Sequence, residues 1–173
     1  MMIDEVQTGF ARTGKWFGFE HAEIKPDVVM LAKAMGNGMP IGALWARKEI
    51  AAVFKPGDHG STFSGTAIAT AAARATIQLM LDMDAPAVAT LRGNELSEKL
   101  RTVNGVVEVR GRGLLLAAEL RADLDAKSVA TQLLEHGLVV NGVTSHALRF
   151  APPLTVSSAE IDEAIAIIKQ VLK

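Results

Sequence analysis

Lys33 lies in the stretch LAKAMGNGMP, residues 31–40, where one primary amine follows an apolar run and precedes two glycines and a proline. An amine held in an apolar setting has its ammonium form disfavoured, and the free amine is the nucleophile that forms Schiff bases with carbonyl compounds. Glycines beside it would let a bulky planar cofactor approach the backbone. The plainer alternative is a lysine at a strand end, snorkelling to water. Asp4, in IDEVQTG, closes another apolar run. A carboxylate at the carboxyl end of a strand in an α/β sheet faces the usual ligand crevice, though an Asx turn would explain it equally well. The loop HGSTFSG, residues 59–65, offers hydroxyls and backbone N–H groups just before a helix. That suits a phosphate, and an ordinary helix cap at Thr66 also fits. Arg149, in ALRFAPPL, carries a planar guanidinium suited to gripping a carboxylate with two bonds, or to a surface ion pair on a strand.

These groups need elements to hold them. Met-Met-Ile at residues 1–3 reads as the end of a strand, since whole strands usually run about five or six residues. VVMLA (28–32) and IGALWA (41–46) read as two further strands, with the GNGMP turn between them. Residues 66–82 are alanine-rich and predict a helix starting near Thr66; residues 85–103 predict a second, with Pro86 in its first turn and Gly93 a weak spot. From about residue 105, VVEVRGRGLLLAAEL predicts two strands meeting at a glycine-punctuated bend. An amphipathic helix over 126–136 stops at Gly137, and LVVN and ALRFA predict two more strands. Ser157 and Glu160 form a capping box for a last helix, with Ile161, Ala164, Ile165, Ile168, Val171 and Leu172 on one face. The organisation changes within 83–104, which divides the chain into 1–83 and 84–173.

Composition narrows the function classes. The chain has 173 residues, 49% hydrophobic and 21% charged, enough to bury a core. A net charge of −1 gives no basic footprint for nucleic acid or an anionic membrane surface. Without cysteine there is no disulfide framework and no thiol catalysis, which fits a reducing cytoplasm. No run approaches the ~18 apolar residues of a membrane span. The four histidines, His21, His59, His136 and His146, lack metal-ligand spacing, so no metal site is expected, and His59 is placed to support its loop. Arg110 and Arg112 read as structural or solvated.

Taken together and in order, IDEVQTGFARTGKWFGFEH, KPDVVMLAKAMGNGMPIGA, HGSTFSGTAIATAAA, VRGRGLLLAAEL and LRFAPPL resemble the class III pyridoxal-phosphate aminotransferases of fold type I. The likeness runs nearly end to end, and VVNGVTSHALRFAPPLTVS is most like the branch that acts on N-acetylornithine in arginine biosynthesis. It implies an α/β fold: the C-terminal part of the cofactor-binding large domain over 1–83, then a small α+β domain over 84–173. The matched length is somewhat under half of such an enzyme. The glycine-rich phosphate loop and the aromatic that stacks on the ring lie in the unmatched half, and a sheet edge would be left open.

By this resemblance Lys33 is the catalytic lysine that binds pyridoxal 5'-phosphate covalently and then moves the substrate proton. Asp4 pairs with the pyridine nitrogen, Gln7 reaches the phenolic oxygen, and Val6 packs under the ring. Thr62, with Ser61 beside it, reaches the cofactor phosphate of a neighbouring subunit, which implies a homodimer with shared sites. Arg149 receives the substrate's α-carboxylate. The implied reaction is N-acetylornithine plus 2-oxoglutarate giving N-acetylglutamate semialdehyde plus glutamate, in the cytoplasm. Ornithine, γ-aminobutyrate or another ω-amino acid is an alternative donor, and a non-catalytic fragment or dimerisation module is an alternative role. Two departures touch the loops: Ser64 stands where the family has glycine, and Asn37 replaces a glycine common after the lysine.

Overall fold

The computed structural model describes residues 1–173. It divides into two compact units, Met1–Ala85 and Pro86–Lys173.

The first unit is built on a three-stranded sheet in the order β1 (Met2–Asp4), β2 (Val28–Leu31), β3 (Ala43–Ala46). β1 runs parallel to β2, with Asp4 opposite Met30, and β3 runs antiparallel. The expected strand end at residues 1–3 is thus a short parallel strand over Met2–Asp4, joined to β2 by a 23-residue connection that carries a 3₁₀ turn at Gly18–Ala22. That connection is ordered by aromatic packing: Phe17 stacks on Phe19 at 5.5 Å and meets Phe10 edge-on at 6.1 Å. Arg47, just past β3, donates to the carbonyls of Pro26 and Lys25 and pairs with Asp27, fixing the entry to β2.

A short helix α1 (Lys48–Ala51) and an exposed loop lead to α2 (Ala67–Asp82). Thr66 caps α2, its hydroxyl accepting from the Ala69 N–H at 3.4 Å. The alanine-rich face does the packing: Ala69 and Ala73 are buried, and α2 lies against the Lys33–Met35 turn. β1 and β3 are edge strands, and Leu44, Trp45, Val53, Phe54, Phe63 and Ile68 are exposed. An apolar cavity of about 440 Å³ opens among Phe17, Phe19, Ile24, Val29, Leu31 and Trp45.

The second unit has a well-filled core. Helix α3 (Ala85–Arg101) precedes a four-stranded antiparallel sheet in the order β4 (Val106–Arg112), β5 (Leu115–Leu120), β7 (Ala147–Phe150), β6 (Asn141–Gly142). Alternation along β5 buries Leu116, Ala118 and Leu120, which meet Leu96 and Leu100 of α3, Leu133 of α4 (Ala126–Glu135) and Ile161, Ile165 and Ile168 of α5 (Ser158–Val171). Asp125 caps α4, and the Ser157–Glu160 capping box starts α5. Arg110 pairs with Glu119 across β4 and β5.

Two expectations need correction here. Gly93 is not a weak spot in α3 but a contact point, because a Cβ there would lie 2.0 Å from the Gly113 carbonyl oxygen of the β4–β5 bend. Residues 138–140 do not form a strand, and only Asn141 and Gly142 pair with β7. The reason is the end of α4. Leu138 N–H bonds to the Leu133 carbonyl (2.8 Å) and Gly137 N–H to that of Leu134 (2.9 Å), so these groups close the helix in a Schellman motif. No helix is long and apolar enough to cross a membrane.

Candidate functional site

Asp4 and Lys33 meet at one end of the first sheet. Asp4 is the last residue of β1, and its register partner Met30 lies three residues before Lys33, which follows the end of β2. Both residues thus sit at the carboxyl ends of adjacent parallel strands, separated by at most ~10 Å of chain beyond the register pair. Asp4 is exposed. One of its oxygens, Oδ1, accepts the Val6 N–H at 2.9 Å in an Asx turn. The turn sets the carboxylate's direction and leaves Oδ2 open to a cationic partner. Gln7, one residue further on, presents an exposed amide, and Val6 is half-buried beside it.

Lys33 is exposed, so the apolar setting anticipated for its amine is not present in this chain. Its backbone is unusual. At φ 44° it occupies the left-handed region, which a non-glycine residue seldom adopts and which clusters at functional sites. The turn is held by Gly36 N–H and Asn37 N–H, both donating to the Lys33 carbonyl at 3.1 and 3.3 Å. Gly36 is needed there: a Cβ would lie 2.3 Å from the Met39 carbonyl oxygen. Asn37, the departure from glycine, sits at φ 45°, which asparagine tolerates best after glycine.

Ser61 and Thr62 lie in the exposed loop before α2, and no hydrogen bond ties either side chain to β1 or β2. Ser64 closes the loop locally, its N–H and hydroxyl both donating to the Ser61 carbonyl. The positive φ in this loop falls on Gly65, not on Ser64, so the added Cβ at Ser64 meets no backbone penalty of that kind. His59 packs edge-on against Phe54 at 5.4 Å, which supports the same loop.

Arg149 belongs to the second unit, on β7, opposite Asn141 of β6. Its guanidinium donates to Asn141 Oδ1 at 3.3 Å, and no carboxylate forms an ion pair with it. Both residues line a cleft of about 490 Å³ with Leu138, Val140, Phe150 and Pro152. A guanidinium without a carboxylate partner at a mostly apolar cleft has N–H groups to offer an anion.

Two residues of these sites escaped the sequence reading. Glu5 is buried between Asp4 and Val6, and Asn141 is the cross-strand partner of Arg149. No group of acidic or histidine side chains is arranged to hold a metal ion.

The donor set of the first unit, a carboxylate, an amide and a primary amine at one strand edge, matches what pyridoxal phosphate requires of its protein. Comparison with known proteins agrees. Residues 1–172 match the family model for aminotransferase class III. Acetylornithine aminotransferases of Bifidobacterium longum and Caldanaerobacter subterraneus are each 45% identical over 99% of this chain. The chain spans 41% and 44% of those two proteins' lengths. Among solved structures, an acetylornithine aminotransferase of Elizabethkingia anophelis superposes with a TM-score of 0.86 at 34% identity, over 99% of this chain and 45% of that one. An ornithine aminotransferase of Toxoplasma gondii gives 0.89 at 34%, over 99% and 42%, and its structure is described as having partial occupancy of pyridoxal phosphate at the active site. The fold is that of the pyridoxal-phosphate-dependent aminotransferases, and the chain belongs to the class III aminotransferase family.

Proposed function

We propose that this chain carries the lysine-bearing part of a transaminase site that moves an amino group from N-acetylornithine, or a related ω-amino donor, to 2-oxoglutarate. Residues 1–83 act as the C-terminal part of the cofactor-binding domain and residues 84–173 as the small domain. The observation that carries this reading is the meeting of Asp4 and Lys33 at the carboxyl ends of β1 and β2. The relatives named acetylornithine aminotransferase favour that donor over ornithine or γ-aminobutyrate.

Each residue then has a task. Asp4 Oδ2 pairs with the protonated pyridine nitrogen, and Gln7 donates its amide N–H to the phenolic oxygen. Val6 supports the ring face. Bound pyridoxal phosphate supplies the sink for the electron pair released when the substrate Cα–H bond breaks. Lys33 Nζ takes that proton as a general base. Arg149 receives the substrate's α-carboxylate. Ser61 and Thr62 serve the phosphate of a neighbouring subunit, which makes the working unit a homodimer acting in the cytoplasm.

The test is chemical. The chain is mixed with pyridoxal phosphate, reduced with borohydride and digested, and the modified lysine is located by peptide mass. One pyridoxyl group per chain on Lys33, absent in Lys33→Ala, is the expected result. Labelling scattered over surface lysines, or none at all, would overturn the reading that this chain holds the cofactor.

A further inference from the structure

Glu5 is 1% exposed, and both oxygens of its carboxylate accept hydrogen bonds. Oε2 accepts the Thr8 hydroxyl and the Gly18 N–H (2.9 Å), and Oε1 accepts the Phe19 N–H (2.8 Å). The backbone of the same residue is also engaged. Its N–H donates to the Met30 carbonyl of β2 at 3.0 Å, and its carbonyl accepts the Gly9 N–H at 2.8 Å. One residue therefore joins β2, the 8–9 turn and the 18–19 turn. Burying a carboxyl group is costly unless its oxygens are hydrogen-bonded, and here three donors meet them.

The surrounding backbone is shaped to it. A Cβ at Gly9 would lie 2.8 Å from the Glu5 carbonyl oxygen, and one at Gly18 would lie 3.0 Å from the Thr8 Cβ and 3.3 Å from Glu5 Oε2. Glycine at both positions is what lets the two turns close on the carboxylate. Asp4 ends β1 and is exposed, while Glu5, the next residue, is buried. Holding Glu5 inward restrains Asp4 beside it, and the Asx bond from Val6 N–H then sets the carboxylate's rotation.

We propose that Glu5 is the positioning residue for Asp4: its buried carboxylate clamps the turns at 8–9 and 18–19 and thereby holds the Asp4–Gln7 segment at the bound cofactor's ring. The inference rests on the cofactor reading above and adds to it a residue that touches neither cofactor nor substrate. Glu5→Gln keeps the shape but turns an amide N–H₂ toward one of the three donors. Thr8→Val removes a single donor and is the milder variant should Glu5→Gln fold poorly.

Amide hydrogen exchange on the whole chain, without cofactor, should quicken at Gly18 and Phe19 in Glu5→Gln while the middle of α2 is unaffected. Unchanged exchange at both amides overturns the clamp. Pyridoxal phosphate is then titrated by its visible absorption. Glu5→Gln should weaken binding about tenfold and shift the absorption as Asp4→Asn does, in line with outer partners at other sites. The double variant Asp4→Asn/Glu5→Gln should be no weaker than Asp4→Asn alone, because both act through one carboxylate. Faster exchange with wild-type cofactor affinity and spectrum, or additive losses in the double variant, would reduce Glu5 to a loop anchor and overturn the proposal. A wild-type chain that fails to take up the cofactor overturns the cofactor reading itself, and this proposal with it.

Discussion

Arg149 has one neutral partner, Asn141 Oδ1, and no carboxylate, so most of its five N–H groups face the cleft or solvent. A carboxylate from solution can take two of them in parallel. Titration of the chain with 2-oxoglutarate should therefore shift the Arg149 Nε–H resonance. Arg149→Lys should weaken that binding by roughly 10-fold or more, since a charge-assisted hydrogen bond contributes about 1.5–3 kcal/mol and an ammonium cannot reproduce the fork. Equal affinity in Arg149→Lys and wild type would show that the carboxylate binds elsewhere. At this scale the sequence was informative where chemistry is carried by residue type and order. Lys33, Asp4, Gln7 and Arg149 are the candidates that their motifs single out. Glu5 could not, because its partners lie three, thirteen and fourteen residues away and come together only when the connection folds back. Asn141 meets Arg149 only through strand register.

Helices α3 and α5 are joined by a polar cluster as well as by the apolar core of the second unit. Glu95 accepts from Lys99 (2.8 Å), Arg92 (2.8 Å) and Ser158 (2.9 Å), and Lys99 reaches on to Asp162 of α5. The Lys99 bond first, then those from Arg92 and Ser158, pull the Glu95 carboxyl down to about 2 from an ordinary 4.5. A depressed carboxylate stabilises the fold in full above its unfolded value and loses that contribution as it is protonated. The loss should thus run from about pH 4.5 down to about pH 2. Denaturant unfolding of wild type and Glu95→Gln at several pH values checks this. Wild type should be the more stable at pH 7, and the gap should close through that window; a gap independent of pH would mean the charge contributes nothing. The capped helices were legible because Thr66 and the Ser157–Glu160 box are local signals. The late start of β6 and the role of Gly93 were not. Leu138–Val140 has the composition of a strand, yet its first N–H is spent on closing a helix, and Gly93 answers to a bend twenty residues downstream.

On the whole molecule, the loop before α2 and its neighbours in the chain expose several large apolar side chains. Phe63, next to Thr62 in the chain, is 87% exposed, and Val53 before the loop and Ile68 after it are 70% and 68% exposed. Clustered exposed apolar side chains of this size mark a contact surface. They stand beside hydroxyls that have no task toward β1 or β2 of their own chain. A second copy covering this surface would bury these apolar side chains and, on the proposed reading, bring Thr62 to the neighbour's phosphate. The consequence can be tested by mixing two defective chains. Thr62→Ala keeps Lys33 but lacks the hydroxyl, and Lys33→Ala keeps the hydroxyl but cannot be labelled. Neither alone should trap pyridoxal phosphate well at limiting concentration. Co-expressed in equal amounts and assorting at random, about half of the dimers are mixed, and each mixed dimer has one site with both groups. Borohydride labelling should then rise on Lys33 of the Thr62→Ala chain, which its peptide mass identifies. If labelling of that chain is the same with and without the Lys33→Ala partner, Thr62 does not act across a subunit boundary, and the exposed loop serves some other contact.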